Sequence, residues 1–236
     1  MSFACCFDAR THGRLILCLL IVMLADQRAA AQNDQAIYNH FQADRFEYEG
    51  NENLKLFKWD IQDWVGNDEH KFWLKTEGDY SADQHIFGRA DLQLLYSRAV
   101  DTFWDFQIGL RRAFQPERTF DAVIGFQGLA PQFIEVDSAI FINDRGNLLM
   151  RLDLNYEILL TQRLILEPRI EVNAAAFDIG HRGVKAGVTE FEAGMRLRYE
   201  IQREFAPYIG FDYVEEESLL EHQHSVRLVA GLRFWY

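Results

Sequence analysis

Beyond residue 31 the chain keeps His40, His70, His85, His181, His222 and His224, and only the last two are close in sequence. His222 and His224 sit two apart, just after Glu215-Glu216-Glu217. On an extended segment two such imidazoles could share a metal ion, although a stable site needs further ligands and a supporting shell. A solvated loop is the competing reading. A second set of candidates is acidic: Glu135, Asp137, Asp153, Glu157, Glu167, Glu171, Glu190 and Glu192. Lined up on one face, these carboxylates could pass a cation between low-affinity contacts. Interleaved with Arg151, Arg169, Arg196 and Arg198, they could equally prop a wall as ion pairs, the usual way buried charge is tolerated. Glycine-rich phosphate loops, HExxH and GxSxG elbows are absent. A lipid-cleaving barrel would need a serine and a histidine on an apolar strand row, and no histidine is expected on one. The expectation is a protein that is not an enzyme, with no tightly bound cofactor.

The elements that must position these groups are strands. In the last twelve residues Val226, Leu228, Ala230, Leu232, Phe234 and Tyr236 alternate with Ser225, Arg227, Val229, Gly231, Arg233 and Trp235. A strand has a side-chain period of two, so one face is apolar and the other carries charge. The same pattern recurs along the chain. Phe57, Trp59 and Ile61 oppose Lys58, Asp60 and Gln62; Leu148 to Ile158 sets Met150, Leu152 and Leu154 against Arg151, Asp153 and Asn155. Counting a first strand near Arg45 to Tyr48, twelve segments of about ten residues emerge, the length a tilted strand needs to cross a bilayer.

The predicted fold is therefore all-β: a transmembrane antiparallel barrel of the bacterial outer membrane. An even strand number closes it, so that no unpaired edge meets lipid. The apolar rows face lipid and the charged rows fill a narrow lumen. Tight turns are expected at 98–102, 129–132, 161–163 and 202–205, with longer polar loops at 79–87, 178–187 and 215–224. A soluble barrel would invert the sidedness, and alternation alone does not separate the two.

The start of the chain reads as a processing segment. Arg10 and Arg14 precede the apolar run Leu15 to Ala25, and Ala29-Ala30-Ala31 offers a cleavage site. That is the layout of a secretory signal peptide, and the run is too short to span a bilayer as a helix. The organisation expected is a signal peptide over 1–31, a short periplasmic lead-in over 32–44, and a barrel over 45–236. Cleavage removes Cys5, Cys6 and Cys18, all the cysteines, so neither a disulfide nor a thiolate site is available. The whole chain carries a net charge of −12, and losing the segment makes it one unit more acidic. An acidic chain is not a nucleic-acid binder, because phosphate contacts need clustered Lys and Arg.

Several blocks resemble the copper resistance protein B family of outer-membrane proteins. They include FKWDIQDWVG (Phe57 to Gly66), KFWLKTEG (Lys71 to Gly78) and LQLLYSRAVDTFWDFQIGLR (Leu92 to Arg111). GFQGLAPQFIEVD (Gly125 to Asp137), LLTQRLILEPRIEVN (Leu159 to Asn173), LRYEIQREFAPYIG (Leu197 to Gly210) and the terminal GLRFWY resemble it too. The resemblance implies an outer-membrane barrel in copper tolerance, exporting copper from the periplasm or sequestering it there. It also implies a periplasmic multicopper oxidase or another periplasmic copper protein as partner, with copper ions and outer-membrane lipid as the other contacts. Members commonly carry a Met- and His-rich segment before the barrel, and this chain lacks it. Of its methionines only Met150 and Met195 lie beyond the signal peptide, both on apolar rows. Under this reading His222 and His224 become an imidazole pair suited to Cu(II), and the lumen carboxylates a cation path. The alternative is a passive or structural barrel without a specific metal role.

Overall fold

The computed structural model of the protein describes residues 36–51, 54–180, 183–217 and 222–236. The expected signal peptide, the first lead-in residues and His181 lie outside them. The strands are β1 (Tyr38–Gly50), β2 (Lys55–Gly66), β3 (His70–Ser81), β4 (Ile86–Asp101), β5 (Trp104–Gln115) and β6 (Thr119–Ala130). They continue as β7 (Ile134–Asn143), β8 (Leu148–Tyr156), β9 (Leu164–Ala175), β10 (Gly187–Tyr199), β11 (Phe205–Glu217) and β12 (His222–Trp235). Each pairs antiparallel with the next, and β12 returns to β1 from Gln42↔Trp235 to Gly50↔Leu228. The seam is completed by Phe41 and Tyr236, which exchange backbone hydrogen bonds of 2.9 and 2.8 Å. The result is a closed twelve-stranded barrel. No helix of the described residues is long and apolar enough to cross a membrane.

Sidedness is unambiguous. Leu228 and Leu94 are 72% and 60% exposed, whereas Glu49 and Asp212 are completely buried. Apolar rows point outward and charged rows inward, the reverse of a soluble barrel and the arrangement lipid demands.

Three local features depart from the simple alternation. The wall begins at Tyr38, so residues 38–44, expected as lead-in, belong to β1. A bulge at Asp44 hides them: Ala43 faces Ile61 and Arg45 faces Asp60, leaving Asp44 as the extra residue. An extra residue flips the side-chain phase, so His40, Gln42 and Asp44 line the lumen from even positions while Arg45, Glu47 and Glu49 do so from odd ones. Second, the expected loops at 79–87 and 215–224 are largely strand, since β3 and β4 run to Ser81 and from Ile86, and β11 and β12 to Glu217 and from His222. Beyond the lipid band a hairpin keeps its ladder without needing an apolar row, so polarity marks the water and not the turn. Third, the β8 line breaks at Glu157 and resumes as Ile158–Leu159 against β9. The break lies opposite Pro168, which has no amide hydrogen for the ladder.

Candidate functional site: two rows winding through the lumen

A ladder line runs perpendicular to the strands, and because barrel strands tilt, the line climbs as it winds round the wall. Two inward-facing lines carry most of the chemistry. One reads Asp105↔Gln127↔Asp137↔Asp153↔Glu171↔Glu192. It begins at the first residues of β5, at the end where β1 starts and β12 finishes, and continues through Val214 to Ser225 at the far end. Of its six residues from Asp105 to Glu192, only Gln127 is not a carboxylate. Like charges directly opposite on a ladder repel, so this row stands only if cations from neighbouring rows hold it.

They do. Lys71 bonds Asp105 at 2.6 Å and Lys75 bonds Asp137 at 2.7 Å. Arg169 pairs with Asp153, with Glu171 at 2.7 Å and with Glu192 at 3.1 Å. Glu192 also receives Lys58 at 2.8 Å, and Arg45 reaches Glu171 at 3.2 Å and Glu192 at 3.4 Å. Arg151 closes on Glu77, and Arg89 reaches the same carboxylate at 3.4 Å. The middle of the lumen is thus a cross-linked layer of guanidinium and carboxylate groups.

Beside it, Arg196 forks between Glu47 at 3.0 Å and Asp212 at 2.9 Å, and the Tyr208 hydroxyl donates to Glu47 at 2.9 Å. Gly194 makes room for this fork, since a Cβ there would sit 1.8 Å from Asp212 Oδ1. One oxygen each of Glu47, Glu49 and Asp212 lies within 4.8 Å of the others, the tightest carboxylate group among the described residues. Arg196, Lys58 at 2.7 Å from Glu49 and Arg227 at 3.5 Å from Glu49 set three cations against that group.

The second line is apolar: His40↔Trp64↔Trp73↔Leu95↔Gly109↔Val123↔Phe141↔Leu149. Trp73, Leu95, Val123 and Phe141 form a buried cluster inside the lumen. The two rows are stitched together by cations. Lys71 and Lys75, already bonded to the acidic row, lie 5.6 Å over Trp64 and 5.2 Å over Trp73, and Arg111 sits 3.6 Å over Phe141.

Below the ionic layer, at the end where β1 starts and β12 finishes, opens a vestibule of about 650 Å³. Its walls include His40, Trp64, Trp73, Asp44, Glu167, Arg169 and Arg233. A side pocket of about 460 Å³ adjoins it through Glu135 and Arg233.

Of the carboxylates singled out from sequence, the fold brings Asp137, Asp153, Glu171 and Glu192 into one row. Glu157 and Glu167 lie lower, paired with Arg198 at 2.5 and 2.6 Å. Glu135 stands exposed at the mouth, and Glu190 accepts from Asn173 at 3.2 Å in the adjoining row. The histidine pair is not in a loop. It opens β12, where His224 faces Glu215 and His222 faces Glu217 on the ladder. His224 is exposed, in phase with the outward residues Val226 and Leu228, so a histidine does stand on an outward row; of His222 only the backbone is described. The aromatic row escaped the alternation rule because it lies in runs that are apolar on both faces, such as Phe72-Trp73-Leu74 and Ile140-Phe141-Ile142, and His40 escaped it because the Asp44 bulge shifts the phase of its strand.

The sequence model of the copper resistance protein B precursor matches residues 37–236, the entire barrel. The chain belongs to the copper resistance protein B family. It is 39% identical over 231 residues to copper resistance protein B of Escherichia coli, covering 90% of this chain and 76% of that one. A copper resistance protein B homolog of Pseudomonas syringae pv. tomato is 35% identical over 216 residues, covering 86% and 72%. Among solved structures the NanC porin aligns over 84% of this chain and 99% of its own, with a TM-score of 0.56 at 12% identity. At that identity the likeness speaks for the barrel fold alone. This family member therefore shares its barrel fold with the NanC porin, and its lumen is crossed by an ion-paired layer.

Proposed function

We propose that this barrel confers copper resistance by admitting copper to the vestibule from the periplasm and handing it along the acidic row, either outward or into a held store at the outer membrane. The supporting observation is the row from Asp105 to Glu192, which begins at the vestibule and climbs toward the far end within a family named for copper resistance. Its carboxylates are oxygen donors already shared with Lys and Arg, so an arriving cation exchanges with an ammonium or guanidinium and binds transiently. In this reading copper is cargo, no cofactor is resident and no catalysis takes place. An N-terminal signal delivers the chain to the outer membrane, the short turns with the start of β1 and the end of β12 face the periplasm, and a periplasmic multicopper oxidase or other copper protein supplies the metal.

The test is copper accumulation and survival in a deletion strain carrying the native chain or a Glu135→Ala, Asp137→Ala variant, with zinc as control. Copper-specific protection that the variant loses, while still assembling, is the expected result. Protection untouched by the variant would remove the acidic row from the mechanism.

A further inference from the structure

His40 is the imidazole that lines the vestibule, and its surroundings say what kind of copper species it can meet. It lies half-exposed between Trp64 and Trp235, with ring centroids 6.1 and 5.6 Å away, and its Nε2 is 3.0 Å from the Gln42 amide oxygen. Imidazole is a good copper ligand, but one ligand does not make a site. Among the described residues no histidine joins two other donors within 4.8 Å; the group that does so is Glu47, Glu49 and Asp212, higher in the lumen. A metal ion that engages His40 must therefore bring most of its coordination with it.

The remaining wall fits such a species. The indole of Trp64 is partly exposed to the vestibule, with the buried indole of Trp73 beside it at 6.0 Å and tilted by 41°. A water shell holds a hydrated ion away from an indole and leaves it little to gain there, whereas a planar organic complex stacks on one. A volume of about 650 Å³ is that of a small-molecule pocket, far beyond what an ion with its water shell occupies. The polar rim offers both signs: Lys71 paired with Asp105, and Arg233 within 3.3 Å of Asp44. A neutral chelate with carboxylate and amine ends finds partners at either pair.

We infer that the vestibule takes copper as a flat Cu(II) chelate of amino-acid type, stacked against Trp64, with His40 supplying an additional nitrogen ligand. Cu(II) favours tetragonal geometry, which leaves a position open to an incoming imidazole. No bond to the chelator need break and no electron moves. The inference rests on the proposed copper role, and it fixes the form in which the cargo arrives.

Tag-free protein in detergent would be dialysed against Cu(II) bis-glycinate made with radiolabelled glycine, in glycine excess so that weak surface sites cannot strip the metal. Retained copper and retained glycine are both counted, and the copper is examined by electron paramagnetic resonance. The expected result is at least one glycine held per bound copper, with imidazole nitrogen coupling in the spectrum. His40→Ala should weaken retention about tenfold, the scale of one lost charge-assisted contact. Trp64→Leu should weaken it about fivefold while Trp64→Phe largely preserves it. Copper retained without glycine, or retention indifferent to His40→Ala and Trp64→Leu, would overturn the inference. Both positions lie near the mouth, and the heat-dependent gel shift of a folded barrel checks each variant's assembly. Copper survival of the deletion strain is scored separately, so the proposed function and the chelate reading fail independently.

Discussion

At the scale of single residues the lumen is governed by Arg169. It touches three carboxylates that face one another on adjacent strands, Asp153, Glu171 and Glu192. Removing the cation leaves like charges opposed in a space with little water, so Arg169→Met should cost about 3–5 kcal/mol of stability, measured as a lowered urea midpoint in detergent. If folded variant is recovered, its conductance to monovalent cations in planar bilayers should exceed that of the native protein. Unchanged stability and conductance would mean that Arg45 and Lys58 hold the layer without it. The outward rows obey the opposite rule. Leu154→Arg puts a charge into lipid at a cost of about 2–4 kcal/mol and should block assembly. The neighbouring Asn155→Arg points into the lumen, between Glu135 on one ladder and Arg169 on the other, clear of lipid, and should still assemble. Membrane fractionation with the heat-dependent gel shift reads both.

Among the elements, β8 and β9 form the weakest join described in the wall. Their ladder lapses between Arg169↔Asn155 and Leu166↔Ile158, across from Pro168. Amide exchange by mass spectrometry should find the segment around Glu157 opening before the rest of the strands, and Pro168→Ala should raise its protection. Early exchange elsewhere, with this join protected, would show that neighbouring side chains seal the gap. The bulge in β1 has a different effect. It brings Asp44 and Arg45 into the lumen together, placing Asp44 near Arg233 and Arg45 near Glu171 and Glu192. Deleting Asp44 should restore a regular ladder at the expense of those contacts, and destabilise the barrel.

For the whole molecule, the layer of ion pairs across the middle separates a vestibule at one end from the water at the other. Such a lumen should pass small ions slowly, so the native barrel is expected to show low conductance with a preference for cations that fades as salt rises and screens the fixed charge. A large, unselective conductance in planar bilayers would contradict a cross-linked lumen.

The sequence by itself determined the barrel. Alternation on twelve segments, no long apolar helix and a closing aromatic strand leave few alternatives, because a strand's period of two writes its lipid face directly into the chain. Even the polarity of Asp137, Asp153, Glu171 and Glu192 was legible residue by residue. What the sequence did not carry was register. Only the tertiary structure set those four carboxylates opposite one another on adjacent strands, threaded Arg169 between three of them, and ran His40, Trp64, Trp73, Val123 and Phe141 into a second line. Register follows from pairing between strands, from the tilt of a closed barrel and from bulges that shift phase by one residue, as at Asp44. Those are properties of neighbouring strands, which no single strand's pattern contains.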